Sequence, residues 1–100
     1  MTGQSVTVGR PTDLTLVGKT FRNFSNLGCT AIATKEAGFP SGAKLFFETD
    51  PTGGTGFEII ASSVQIGKQP VDQVKPGQKC AVHIGSGNLP RSGTLVFVVN

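Results

Sequence analysis

The chain has 100 residues, of which 37% are hydrophobic and 15% charged, with a net charge of +3 and two cysteines. That length fits one domain, because two halves of it would each be too small to bury a core. The composition is too apolar for disorder and too interrupted for a membrane-spanning helix, and the mild positive charge permits an anionic partner such as RNA without pointing to one.

Glycine occurs 14 times and proline 6 times, and no window carries an amphipathic period of helical length. Short strands joined by tight turns follow, so the expected class is all-β. The opening Met-Thr-Gly-Gln-Ser has neither the basic stretch nor the apolar core of a secretory leader. Cys29 and Cys80 each sit inside an apolar run. A cytoplasmic protein with two buried free thiols is therefore expected, with a disulfide between neighbouring strands as the alternative.

Residues 1–13 read as a polar arm or a short edge strand over Ser5–Val8, and residues 14–100 as a single domain. From Leu14, apolar Leu14 and Leu16 alternate with Thr15, and Lys19 lies on the polar side of the same pattern. Phe21 and Phe24 follow, and Ser25-Asn26-Leu27-Gly28 supplies turn residues for a hairpin into a strand over Cys29–Thr34. Lys35–Ser41 reads as a loop and Ala43–Glu48 as a strand, with Leu45 and Phe47 on one face and Lys44, Phe46 and Glu48 on the other. Asp50–Gly56 is a glycine-rich hairpin tip. Phe57–Ile66 then reads as one long strand, with Phe57, Ile59, Ala61 and Ser63 opposite Glu58, Ile60, Ser62, Val64 and Ile66. After a turn at Gly67–Pro70 and a short run at Val71–Val74, Gln78–Ile84 points Cys80, Val82 and Ile84 inward and Lys79 and His83 to water. Gly85–Asn88 is a loop and Thr94–Val99 the last strand.

One kind of corner recurs. Pro40-Ser41-Gly42, Pro76-Gly77 and Pro90-Arg91-Ser92-Gly93 each lead into an apolar run. A glycine there lets the backbone turn sharply into a strand without a Cβ clash. Six to seven strands redirected at repeated corners suit a small closed barrel, with a sandwich as the alternative, and a barrel leaves no exposed edge. Neither GxxxxGK[ST] nor GxGxxG is present, so the glycines do not read as a phosphate loop.

No catalytic constellation is legible. His83 is the single histidine and has no partner at a recognisable spacing. Cys29 and Cys80 lie in apolar surroundings that raise rather than lower a thiol's pKa. Two cysteines and one histidine leave a four-ligand metal site incomplete. Asp13, Asp50 and Asp72 fall in or near turns, where aspartate usually caps. The reading is a non-enzyme with no cofactor and no metal. The cations Arg10, Lys19, Arg22, Lys68, Lys75, Lys79 and Arg91 are spread along the chain. Lys19, Arg22, Lys68 and Lys79 form an anion or RNA contact patch if they converge on one face, and an ordinary solvated surface if they scatter.

Three segments carry a family resemblance across about residues 16–99. Val17-Gly18-Lys19 followed by Phe24-Ser25-Asn26-Leu27-Gly28 resembles the second domain of translational GTPases. Ser62–Val71 followed by Val74–Ile84 is similar to that barrel's S-x-Q-x-x-x-K-x-V segment, and Arg91-Ser92-Gly93-Thr94-Leu95 resembles its closing R-x-G-D corner. The resemblance is closest to the small C-terminal barrel of collagenase-like peptidases and more distant to elongation factor Tu. It implies a translation-factor-type barrel acting as a binding module for RNA or a partner protein. Alternatively, it implies an accessory subunit of a separate enzyme such as a peptidase, and a small structural or assembly protein is a third reading. The chain departs from the family where Gly42-Ala43 and Gly93-Thr94 replace Gly-Asp. No GTPase motif accompanies the barrel, so GTP hydrolysis is not implied.

Overall fold

The computed structural model describes residues 7–9, 13–50, 52–85 and 89–100. In chain order the strands are β1 (Thr7–Gly9), β2 (Leu14–Phe24), β3 (Cys29–Thr34), β4 (Phe39–Pro40), β5 (Lys44–Asp50) and β6 (Thr55–Ile60). They continue with β7 (Val64–Ile66), β8 (Gln69–Pro70), β9 (Gln73–Val74), β10 (Lys79–His83) and β11 (Leu95–Val99). There is no helix among the described residues, and none long and apolar enough to cross a membrane. The pairings are antiparallel, as expected of strands joined by tight turns. The edge strand expected over Ser5–Val8 overlaps β1, whose Thr7 lies opposite Phe57 and Val8 opposite Gly56. The rest of the 1–13 arm lies outside the described residues except Asp13.

Gln78–Ile84 buries the side it was expected to bury, whereas in β2 the core residue is Val17 and the alternating Leu14 and Leu16 stay half-buried. Val17, Ile32, Leu45, Phe47, Phe57, Ile59, Cys80, Val82, Ile84 and Val96 form one core, and Phe47 stacks on Phe57 with ring centroids 5.1 Å apart. The three corners share one backbone geometry: φ is 90° at Gly42, 89° at Gly77 and 91° at Gly93. This is the left-handed region that an L side chain avoids, which is why each corner ends in glycine. The Gly67-Lys68 turn between β7 and β8 also has positive φ at both residues, the combination that suits a two-residue hairpin.

Four expectations are corrected. The expected closed barrel is not formed as a continuous ladder: the main sheet runs β1-β6-β5-β11-β2-β3-β10-β7-β8, an open order, beside a separate β4–β9 pair. The reason lies in the run Phe57–Ile66, which is two strands rather than one. Ala61 still bonds to the β5 side, accepting from Gly42 N–H at 2.7 Å and donating to the Ala43 carbonyl at 2.8 Å. Two residues later the Ser63 carbonyl accepts from His83 N–H of β10 at 3.2 Å. The two flanks of the sheet are thus joined covalently through residues 61–63.

The break also shifts the side-chain phase. Phe57, Ile59 and Ala61 face the core, and so does Val64, which an unbroken strand would place on the other face. The third correction concerns Lys35–Ser41, expected as loop. Phe39 and Pro40 within it pair with Val74 and Gln73, and Phe39 joins the core. Phe46, expected on the polar face of β5, is buried as well, with its ring 6.2 Å from that of Phe97.

Candidate functional site

The outward face of β2, β3 and β10 can be read directly from the register. Lys19 lies opposite Ala33, and Ala33 opposite Lys79. The next row is Arg22, Ala31, Ala81 and Gln65, and the third is Phe24, Cys29 and His83. Two strand spacings separate Lys19 from Lys79, about 10 Å. Between them the floor consists of alanine side chains, so the flanking cations stand above a shallow shelf.

Lys19 and Arg22 share this face because β2 is irregular. In a regular strand, residues three apart point to opposite sides. Here Thr20 pairs with Ile32 and Arg22 with Ala31, so Phe21 is an extra residue in a β-bulge. The bulge turns Arg22 outward and leaves Phe21 42% exposed.

The third corner holds the bulge from both sides. Buried Thr20 donates its hydroxyl to the Arg91 carbonyl at 2.8 Å and accepts from Thr94 N–H at 3.1 Å. Asn23 Nδ2 donates to the Pro90 carbonyl at 2.6 Å, while the Thr30 hydroxyl donates to Asn23 Oδ1 at 2.7 Å. Thr94, which stands where the resembling family has aspartate, closes the corner itself through its hydroxyl to the Arg91 carbonyl at 2.6 Å.

Cations and aromatic rings alternate on the face. The Lys79 ammonium lies 5.5 Å from the Phe21 ring centroid, and the Arg22 guanidinium 5.3 Å from that of Phe24. β2, β3 and β10 contain no Asp or Glu; Glu36 and Glu48, from outside these strands, line grooves with Lys19.

Of the four cations singled out in the sequence, Lys19, Arg22 and Lys79 are therefore brought together. Lys68 is not in these rows. It sits exposed on the β7–β8 turn, which the β7–β10 register directs toward the Lys79 end of β10. Lys35 and Lys75 are near that end too, because the Thr34 hydroxyl bridges the carbonyls of Lys75 at 3.0 Å and Gln78 at 2.6 Å. Sequence reasoning missed Phe21 and Phe24 as part of the site. The run Lys19-Thr20-Phe21-Arg22-Asn23-Phe24 carried the signal, but a regular strand period splits it across two faces.

Elsewhere the chemistry is quieter. A groove of about 540 Å³ lies where β6 gives way to β7, lined by Lys44, Glu58, Ile60, Ser62, His83 and Gly85. Its charges already compensate one another, with Lys44 Nζ 3.9 Å from Glu58 Oε1. Cys29 lies opposite His83, yet its thiol approaches the Leu27 carbonyl at 3.5 Å, and burial pushes its pKa up.

Cys80 is free and buried, and burial pushes its thiol up to about 12. In the unfolded chain this thiol ionises near 9. Between about pH 9 and 12 the unfolded chain loses the proton while the native state keeps it, so stability should fall as pH rises through that window. A thiol-specific disulfide reagent at pH 8 should modify Cys29 slowly and Cys80 only after denaturant is added. Equal rates for the two would contradict this packing.

These features define an all-β, antiparallel domain with a small core and a basic, aromatic-studded outer face. No protein-family profile matches the chain, and no curated protein is significantly similar to it. Among solved structures it is similar to the C-terminal domain of a "putative U32 peptidase" from Geobacillus thermoleovorans. The TM-score is 0.66 and the identity 14%, over 84% of this chain and 91% of that one. The match is one of fold.

Proposed function

We propose that this chain is a non-catalytic, cytoplasmic binding module that holds RNA on the outer face of β2, β3 and β10. One observation carries the reading: Lys19, Arg22 and Lys79 share a face with Phe21 and Phe24, with no carboxylate on its three strands. Cations neutralise phosphates and release their counterions, while aromatic rings offer contact to bases. In this reading the all-β sheet, with β6 and β7 linked through residues 61–63, is the scaffold that presents the face.

The test is fluorescence anisotropy with bulk tRNA across a salt series. Three phosphate contacts predict that log K falls with log salt at a slope of about −2. Charge reversal at both Lys19→Glu and Lys79→Glu should remove binding at low salt while leaving the circular dichroism spectrum unchanged. Absence of wild-type binding at low salt would sink the reading. A second reading, an accessory domain beside a separate catalytic chain, is supported by the fold likeness to a domain of a peptidase-like protein. It predicts salt-insensitive co-elution with that chain.

A further inference from the structure

Phe21 is an anomaly that charge does not explain. Phenylalanine is among the residue types most often buried, yet here the bulge pushes it 42% into solvent while Thr20 beside it is buried. The core does not need the ring, and the corner at 90–94 fixes the backbone that displays it. On one side the ring meets the Lys79 ammonium. Beneath the two lysines the side chains are no larger than alanine at positions 31, 33 and 81.

We infer that this face selects unpaired nucleotides, with Phe21 as the platform on which a base stacks while Lys19 and Lys79 hold the flanking phosphates. The inference rests on the RNA reading above and adds the form of RNA. A duplex offers its phosphates to the three cations but hides the flat faces of its bases inside the stack. A single strand offers both, and every base has a π-face, so the contact is tolerant of sequence. Arg22, above Phe24, supplies a second planar group at the adjacent row. The alanine floor leaves room for a planar group to lie against the sheet.

The experiment compares a labelled single-stranded U12 with a blunt 12-base-pair RNA duplex at one ionic strength, using wild type, Phe21→Ala, Phe21→Trp and the Lys19→Glu/Lys79→Glu double variant. Wild type should bind U12 at least about tenfold more tightly than the duplex. Phe21→Ala should weaken U12 binding by about 5- to 150-fold, the range of a single base–aromatic stack, and leave duplex binding unchanged. Phe21→Trp should retain U12 binding, and its indole fluorescence should be quenched by U12 but not by duplex. Equal affinity for the two RNAs, or no effect of Phe21→Ala where the lysine reversal abolishes binding, would overturn the inference and leave a phosphate-only surface. If neither RNA binds wild type at low salt, the RNA reading falls and the inference with it.

Discussion

Replacing Phe47 with alanine is expected to lower the unfolding free energy by about 3–5 kcal/mol, the usual loss for a buried phenylalanine. Phe47 is fully buried at the centre of β5, paired laterally with Val96 on one side and Phe57 on the other. Its ring lies parallel to that of Phe57, 9° from coplanar. Truncation therefore loses the transfer energy of the ring and leaves a void against a neighbour that cannot easily refill it. β5 is also a central strand, hydrogen-bonded to β6 and β11, so its backbone is not free to collapse inward. In a domain whose total stability is on the order of 5–15 kcal/mol, this is a large fraction. The melting temperature should fall by about 12 °C or more. Urea denaturation of the two proteins measures the difference directly, and a change below about 1 kcal/mol would place Phe47 outside the core.

Gly56→Ala should be costly for the opposite reason: there is no room. Phe47 pairs with Phe57 and Asp50 with Thr55, so two residues of β5, Glu48 and Thr49, oppose the single Gly56. That bulge swings the β5 backbone over the glycine. A methyl group there would meet the Phe47 carbonyl, 2.8 Å from its carbon and 3.0 Å from the Glu48 Cα. A side chain in the way can rotate aside, but these are backbone atoms of a paired strand. A loss of about 3 kcal/mol is expected, at the upper end of the usual overpacking range.

Gly42→Ala is the informative control. Nothing lies within 4 Å of its added methyl, and its only difficulty is φ of 90°, which costs about 1–2 kcal/mol. Thermal unfolding should rank wild type above Gly42→Ala, and Gly42→Ala above Gly56→Ala. The reverse order would mean that the β5–β6 bulge relaxes.

The proposed RNA face depends on the same physics of irregular strands. Lys19, Arg22 and Lys79 are ordinary surface cations when taken singly. They become a patch because one extra residue, Phe21, reverses the direction of Arg22, and because Thr20 and Asn23 tie that irregularity to the 90–94 corner. Thr20→Val keeps the shape and removes the hydroxyl that links them. It should therefore weaken RNA binding through loss of the bulge, and the amide resonances of Phe21 and Arg22 should shift with it.

Much of the fold was legible in the residues because strands and turns are local. Alternation over Cys29–Thr34, Ala43–Glu48, Gln78–Ile84 and Thr94–Val99 located four strands and, in Gln78–Ile84, the inward side chains. Proline followed by glycine located the corners, since few other residues tolerate that backbone. What failed were features that need a partner from far along the chain. Phe39 and Pro40 look like loop until Val74 and Gln73 lie opposite them. Phe57–Ile66 looks continuous until its first part pairs with β5 and its last with β10.

The site divides along the same line. The amino-acid sequence by itself determined an all-β chain, its glycine corners, its unactivated cysteines and the cations available for a patch, because composition, period and backbone conformation are set residue by residue. Only the tertiary structure decided which cations meet. A β-strand's side-chain direction changes with every inserted residue, and the bulge at Phe21 is defined by its register against β3 and its anchor on a corner some 70 residues away.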